Sequence, residues 1–200
     1  MTTSSSRYVR WSGLASMPGG VLLSGLFVVI LFVPGYIGST FIVLFLCVWI
    51  SFLAGLVGLH ARQKGGHGGA AKWLARIGLV LAVVGLLQSV FLGLLPFLFM
   101  GFGLVLMSIT TALLFMGFGL VLTGIAAIKA NVLPWRALPL VMGMLGIAVW
   151  CVYEVVMQSG FGAPRFWNIG VQVLVTLFSA GWVLLGHALW SGTGSQAPRD

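Results

Sequence analysis

Six long apolar runs alternate with short charged or turn-rich segments along the chain. A helix needs about 20 mostly apolar residues to cross the hydrocarbon core of a bilayer, and each run reaches that length. The pattern therefore predicts an all-α fold, an integral membrane bundle of six transmembrane helices. The expected spans cover about 14–33, 40–60, 74–95, 98–128, 137–157 and 168–190.

The composition also indicates a membrane protein. Hydrophobic residues make up 60% of the 200 residues and charged residues only 6%, whereas globular proteins carry about 25% charged residues. An ordinary soluble domain is therefore excluded. The net charge of +8 comes from ten basic residues against two acids. Because the basic residues are scattered between apolar runs rather than gathered in one stripe, nucleic-acid binding is not expected.

Proline and glycine explain the predicted breaks between spans. Proline lacks the backbone N–H and its ring clashes with the preceding helical turn, so Pro34 and Gly35 are expected to end the first span. Pro96 is expected to separate the third span from the fourth for the same reason. The remaining connections are predicted at 62–72, 131–134 and 159–164, where glycine, proline and polar residues concentrate.

The basic residues predict the orientation of the bundle. Lysine and arginine in short loops stay on the cytoplasmic side, and nine of the ten lie near the start of an odd span or after the end of an even one. Both termini are therefore expected in the cytoplasm, as tails at 1–13 and 191–200 around a multi-pass domain at 14–190. We expect a bacterial inner or plasma membrane. The nine residues are Arg7, Arg10, Arg62, Lys64, Lys72, Arg76, Lys129, Arg136 and Arg199, and Arg165 is the exception.

Three tryptophans show a weak periodicity along the chain. Trp11, Trp73 and Trp135 are separated by 62 residues each, and each lies beside a basic residue at the start of an odd span. The spacing is compatible with three helical hairpins inserted in the same sense, as in some transporters. Basic residues beside tryptophan are also expected of any helix that starts at an inner interface, so this alternative stays open.

The fourth span contains a stronger repeat, because the nine residues at 98–106 recur letter for letter at 114–122. On a continuous helix, an offset of 16 residues turns the second copy by roughly 160°, so the two Gly-Phe-Gly faces would point to opposite sides. A span of roughly 46 Å also exceeds the hydrocarbon core of about 30 Å. Two interpretations remain: a tolerated tandem duplication, or a long helix that docks a partner through its second glycine face. The expected helix-packing residues are Gly101, Gly103, Gly117 and Gly119.

Polar residues in the outer half of the spans are the candidates for ligand binding. An ionisable side chain is costly in hydrocarbon and marks a site by default, and Glu154 lies near the outer end of the fifth span. With Gln88, Gln172 and the loop residue Arg165, it could line an outward-facing cleft. The alternatives are an interfacial Glu154 that pairs with Arg165, and glutamines that form hydrogen bonds between helices.

Basic residues around the second connection are candidates for contact with lipid. Arg62, Lys64, Lys72 and Arg76 flank a glycine-rich loop, and such clusters attract anionic lipid headgroups. Setting the topology is a sufficient alternative explanation for the same charges. The expected partners are therefore the lipid bilayer and other membrane-protein subunits.

The histidines and cysteines predict neither a cofactor nor a metal. His60 and His187 end the second and sixth spans at similar depth, but a haem would need ligands several residues inside the interface. Cys47 and Cys151 lack metal-ligand or CxxC spacing, so a disulfide framework is not expected either. A haem or quinone carrier therefore stays a minor alternative.

Catalysis by this chain is not expected, because HExxH, GxSxG and paired acids are all missing from the sequence. With one intramembrane acid, chemistry that needs two carboxylates lacks its residues. We therefore favour a non-catalytic, helix-packing accessory subunit that binds other membrane proteins or lipid. The alternative is a small-solute or lipid transporter with an outward-facing polar cleft around Glu154.

Three segments resemble a loose group of small bacterial six-span membrane proteins whose activity is not known. They are RWSGLASMPGGVLL at 10–23, GLHARQ at 58–63 and GIAAIKANVLPWRALPLVMG at 124–143. The resemblance implies an integral membrane fold of six helices, and it implies no activity, cofactor or site residue. The 16-residue duplication departs from the pattern of this group.

Overall fold

The described part of the chain consists of six α-helices and a few residues between the fourth and the fifth. The computed structural model describes residues 3–32, 39–63, 69–99, 102–131, 133, 135–158 and 165–191. These residues contain no strand, so the predicted all-α fold with six helices is confirmed. All six helices include a segment long and apolar enough to cross a membrane. The helices are α1 (Thr3–Phe32), α2 (Ser39–Gln63), α3 (Gly69–Phe99), α4 (Phe102–Ala130), α5 (Leu138–Gln158) and α6 (Arg165–Ser191).

Several helices extend beyond the predicted apolar spans. α1 begins at Thr3 rather than near residue 14, so most of the predicted N-terminal tail is helical. α3 continues past position 96 to Phe99, and the expected break at Pro96 is wrong. Pro96 lies within one turn of the end of α3. A proline removes one backbone hydrogen bond and does not force the helix to stop at that residue.

The break between α3 and α4 divides the duplicated sequence. Residues 98–99 end α3 and residues 102–106 begin α4, so the fourth helix begins at Phe102 rather than at about residue 98. The two copies consequently do not lie on one continuous helix. α1 with 30 residues and α3 with 31 are as long as α4 with 29. Excess length therefore does not distinguish the fourth helix from its neighbours.

Consecutive helices pack side by side, and α6 returns to pack against α1. The contacts are most extensive in two groups of three helices: α1 lies between α2 and α6, and α4 lies between α3 and α5. The groups meet more sparsely, where α2 approaches α3 and α5 approaches α6, and α2 also touches α4 across the interior. Each group is thus built around one central helix.

The alternating direction of the helices brings most of the described basic residues to one end of the bundle. α1, α3 and α5 start at this end, and α2, α4 and α6 finish there. We call it the basic end, and the opposite end the far end. The basic end carries Arg7, Arg10, Arg62, Lys72, Arg76, Lys129 and Arg136.

Small residues let α1 and α6 approach to backbone contact. A Cβ atom added to Gly13 would lie 2.6 Å from the carbonyl oxygen of Gly186, and one added to Gly186 would lie 2.6 Å from that of Gly13. Gly20, seven residues along α1, meets the backbone of Ser179, seven residues back along α6, in the same way. A seven-residue repeat spans two turns and keeps one seam between antiparallel helices.

The same spacing joins α3 to α4. A Cβ atom on Gly78 would lie 2.6 Å from the carbonyl oxygen of Gly119. Seven residues further along α3, a Cβ atom on Gly85 would lie 2.8 Å from the carbonyl oxygen of Ala112. Each group of helices therefore contains a seam in which two helix backbones approach so closely that a side chain would not fit between them.

α4 uses the second copy of the duplicated sequence to bind both of its neighbours. Gly119 packs against Gly78 of α3, whereas a Cβ atom on Gly117 would lie 2.9 Å from the carbonyl oxygen of Gly143 in α5. Two residues turn a helix by about 200°, which explains why the two glycines face opposite sides. This glycine face is thus occupied within the chain itself. Gly101 lies outside the described residues, as do the surroundings of Gly103.

An aromatic cluster fills the interior midway along the bundle. Phe52 of α2 stacks on Trp182 of α6, with 4.2 Å between ring centroids and 10° between ring planes. Trp49 and Phe178 meet Phe52 edge to face. Phe52, Phe178 and Trp182 are fully buried, and such aromatic pairs stabilise a core beyond their buried area. The contact between α2 and α6 therefore consists largely of packed aromatic side chains.

Large apolar side chains are exposed on the outside of every helix. Soluble monomers rarely expose contiguous apolar patches larger than a few hundred Å². An outer surface of this kind suits contact with lipid or with other apolar helices. Val21, Ile50, Val80, Phe118, Met144 and Val173 are examples, one on each helix in chain order.

Candidate functional site

The residues predicted to line an outward-facing cleft lie in the far half of the bundle. Glu154 on α5, Gln172 on α6 and Gln88 on α3 are all half-buried. Arg165 is the first residue of α6, but its side chain lies outside the described residues. The predicted pairing of Glu154 with Arg165 therefore stays a prediction.

The helices that carry these residues are only partly brought together. α5 packs against α6, so Glu154 and Gln172 are on neighbouring helices. α3 packs against α2 and α4, and its described residues make no close backbone contact with α5 or α6. Gln88 thus belongs to a helix that α4 separates from α5.

Three polar atoms in the far half of the bundle are buried without a hydrogen bond to any described residue. They are the hydroxyl oxygens of Tyr153 on α5 and Ser89 on α3, and Oε1 of Gln172 on α6. The Nε2 atom of Gln172 donates to Oγ1 of Thr176 at 3.5 Å. Buried polar atoms in native proteins nearly always have a partner, often water or a ligand. Tyr153 therefore joins the residues that a far-end site would use.

At the basic end, the last residues of α2 are attached to two other helices. Arg62 donates from Nη1 to the carbonyl oxygen of Ala188 in α6 at 3.0 Å. The adjacent Gln63 is fully buried and donates from Nε2 to the carbonyl oxygen of Thr123 in α4 at 3.1 Å. The sequence predicted a lipid contact for Arg62, but the structure also gives it a bond that holds helices together. The role of Gln63 could not be read from the sequence, where it appears only as the start of a polar loop.

The other predicted lipid-contact residues lie on the outside of α3. Lys72 and Arg76 are exposed, and the Cζ atom of Arg76 lies 5.8 Å from the ring centroid of Trp73. This distance is typical of a cation–π interaction. Lys64 lies outside the described residues. The three described residues of this set are therefore divided between an interhelical contact, made by Arg62, and an exposed helix face, which carries Lys72 and Arg76.

The histidines of α2 and α6 differ in exposure. His60 is half-buried, and His187 is exposed, with its ring centroid 6.3 Å from that of Trp190. Within the described residues, no three metal-ligating side chains lie close together. The two imidazoles thus occur in unlike surroundings, one partly inside the bundle and one on its surface.

A groove opens at the basic end where α1 starts and α6 finishes. It has a volume of about 390 Å³ and is lined by Arg7, Arg10, Trp11, Leu14 and Trp190. The Cζ atom of Arg10 lies 5.9 Å from the ring centroid of Trp190. In the sequence, Arg7 and Arg10 indicated the topology and Trp11 marked the start of a span. The helix pairing that unites them could not be seen in the sequence, because Arg10 and Trp190 lie near opposite ends of the chain.

Comparison with known proteins adds no family to this geometry. No protein family matches the sequence, and no curated protein and no solved structure resembles the chain. The resemblance of three segments to a group of six-span proteins stays a prediction. Any function proposed for the chain rests on its own residues.

Proposed function

We propose that the chain is a non-catalytic, helix-packing accessory subunit that binds other membrane proteins or lipid. It belongs to a bacterial inner or plasma membrane, which it crosses six times with both termini in the cytoplasm. The position of the basic residues supports this orientation, because positive loops stay inside. Seven described lysines and arginines lie at the basic end, which this proposal assigns to the cytoplasmic side.

The filled interior is the observation that carries the proposal. Carriers hold their substrate near the middle of the membrane, among polar groups and interrupted helices. At that level this bundle has the stacked Phe52 and Trp182, together with Met116 and Met142 from α4 and α5, and all four are 0% exposed. The hydrogen bonds of Arg62 and Gln63 join helices to one another. The four side chains thus fill the middle of the bundle, where the indole N–H groups of Trp49 and Trp182 are buried without a hydrogen-bond partner among the described residues.

The outer surface supports a role in binding neighbours within the membrane. Every helix presents large apolar side chains, as Met144 of α5 does with 58% exposure. Association of membrane helices depends on close packing and interhelical bonds rather than on the hydrophobic effect. A surface of this kind accommodates partner helices and lipid chains alike.

Site-specific photocrosslinking in the native membrane tests the proposal. A photoreactive amino acid replaces one exposed residue on each helix in turn, with Met144 as the position on α5. Met142, two residues away and fully buried, is the matched control position. The expected result is a discrete adduct with another membrane protein from one or more exposed positions, and only intramolecular products from position 142. Extraction in mild detergent should also recover a larger complex.

A monomer in native extracts, stabilised by a particular solute and without protein adducts at any exposed position, would contradict the accessory role. That outcome would favour the second candidate, a transporter of small solutes or lipid with a far-end cleft. The unpartnered Tyr153 hydroxyl and Gln172 Oε1 favour this second candidate. Glu154→Gln should then abolish solute-dependent stabilisation without lowering expression. If Glu154→Gln changes only the folding yield, the hypothesis of a functional cleft is ruled out.

A further inference from the structure

The groove at the basic end is produced by the close crossing of α1 and α6. Gly13 and Gly186 meet backbone to backbone, and a Cβ atom on Gly13 would lie 2.9 Å from the backbone nitrogen of Trp190. One turn beyond the crossing, Arg10 lies beside Trp190. Arg7 follows one turn further out, because three residues complete almost one helical turn. The seam of small residues thus places Trp190 of α6 beside the two arginines of α1.

The groove is polar toward the end of the bundle and apolar toward its middle. Arg7 and Arg10 lie in the first turns of α1, and Leu14 lies one turn deeper than Arg10. Four residues correspond to about 6 Å along a helix. Trp11 and Trp190 form the side walls, and both are exposed. Tryptophan prefers the depth of the lipid headgroups, so this gradient matches a headgroup above an acyl chain.

The charge of the groove is not neutralised by a described carboxylate. Within the described residues, neither arginine takes part in an ion pair, and Glu154 is the one acid, near the far end. Arginine binds phosphate through paired N–H groups in a fixed geometry. An anion of the surrounding medium is therefore the complementary occupant. A zwitterionic headgroup fits less well, because its own cation would meet the guanidinium groups.

We propose that the groove between the start of α1 and the end of α6 binds an anionic phospholipid. Arg7 and Arg10 hold the phosphate, and an acyl chain runs past Leu14 toward the middle of the bundle. This inference rests on the lipid-binding part of the proposed function. It names a site at a place where the sequence indicated only the topology.

Retention of lipid by purified variants tests the site. The full chain is placed in nanodiscs of phosphatidylcholine and phosphatidylglycerol in equal parts, and the lipids that stay bound after release are counted by native mass spectrometry. Arg7→Gln with Arg10→Gln is expected to lower retention of phosphatidylglycerol by about tenfold or more. Arg7→Lys with Arg10→Lys should keep part of the retention, because the charge remains.

The matched control is Lys129→Gln with Arg136→Gln. It removes the same charge from the same end of the bundle, where both side chains are exposed and neither lines the groove. Retention should change by less than about twofold in this variant. An equal loss in both double variants would show general attraction to a basic surface and would overturn the site. Unchanged retention in the first variant would overturn it as well.

A second measurement leaves the arginines intact and so does not depend on folding of the double variant. A photoreactive residue at position 14 should form adducts with phosphatidylglycerol in preference to phosphatidylcholine. The same residue at position 141, likewise exposed but on α5, should show less preference. Equal preference at the two positions would overturn the proposal.

Inorganic phosphate distinguishes a lipid from a free anion. A lipid held by both headgroup and chain should stay bound when excess phosphate is added, whereas displacement by phosphate would indicate a site for soluble anions and overturn the lipid assignment. These failures are separate from failure of the accessory role. The accessory role is tested by protein adducts and by the size of the extracted complex. If that role is correct, the arginine variants should leave both unchanged.

Discussion

Gly78 and Gly119 each occupy the space that a side chain on the other would need. A Cβ atom on Gly119 would lie 2.5 Å from the carbonyl oxygen of Gly78 and 2.8 Å from the backbone nitrogen of Ala82. These are backbone atoms, which cannot rotate away as a side chain does. The α3–α4 contact therefore depends on the absence of one methyl group at each position.

Gly119→Ala is expected to lower the free energy of unfolding by about 1–3 kcal/mol, the usual cost of overpacking a tight contact. Gly25→Ala is the matched control, because a Cβ atom at Gly25 would meet no atom within 4 Å. That change should be neutral or stabilising by about 0.5–1 kcal/mol, since alanine favours a helix over glycine. Unfolding by SDS in mixed micelles measures both. Equal stability of the two variants would contradict the proposed seam.

The stacked Phe52 and Trp182 predict a large effect of truncation in the interior. Phe52→Ala removes a fully buried ring and should cost about 3–5 kcal/mol, as phenylalanine truncation in a well-packed core does. Phe91→Ala is the control on an exposed position, since Phe91 is 58% exposed on α3. Its effect should be below about 1 kcal/mol. Thermal unfolding in detergent compares the two, and similar losses would show that the interior is loosely packed.

The two native cysteines test whether the outer surface faces lipid. Cys47 and Cys151 are both exposed on the outside of the bundle, in α2 and α5. Maleimides react with the thiolate, which does not form in hydrocarbon. A hydrophilic maleimide should therefore label neither cysteine in intact membranes and both after denaturation in SDS. Fast labelling of either thiol in the membrane would mean that its helix face contacts water.

The packing role of small residues could be anticipated from the sequence, but their partners could not. Gly78, Gly117 and Gly119 occur in apolar spans where small residues typically mark helix contacts. Which helix each one meets depends on the arrangement of six helices, and one sequence does not specify it. Gly117 and Gly119 lie two residues apart and still pack on different neighbours.

Two further features needed the three-dimensional structure. Pro96 predicted a helix end because proline breaks an isolated helix, but the surrounding helical hydrogen bonds carry α3 on to Phe99. The groove of Arg10 and Trp190 combines the beginning and the end of the chain. Local patterns describe such residues one at a time. They linked Arg10 to the topology and did not predict a site that it shares with Trp190.

The orientation of the membrane domain can be measured directly with single cysteines. In a background of Cys47→Ala and Cys151→Ala, one variant carries Lys72→Cys at the basic end and another carries Ala163→Cys in the connection before α6. An impermeant maleimide added to intact cells should label position 163 and spare position 72, which should react only after the membrane is opened. Labelling of position 72 from outside, with protection of position 163, would show that the bundle has the opposite orientation in the membrane and would contradict the proposal.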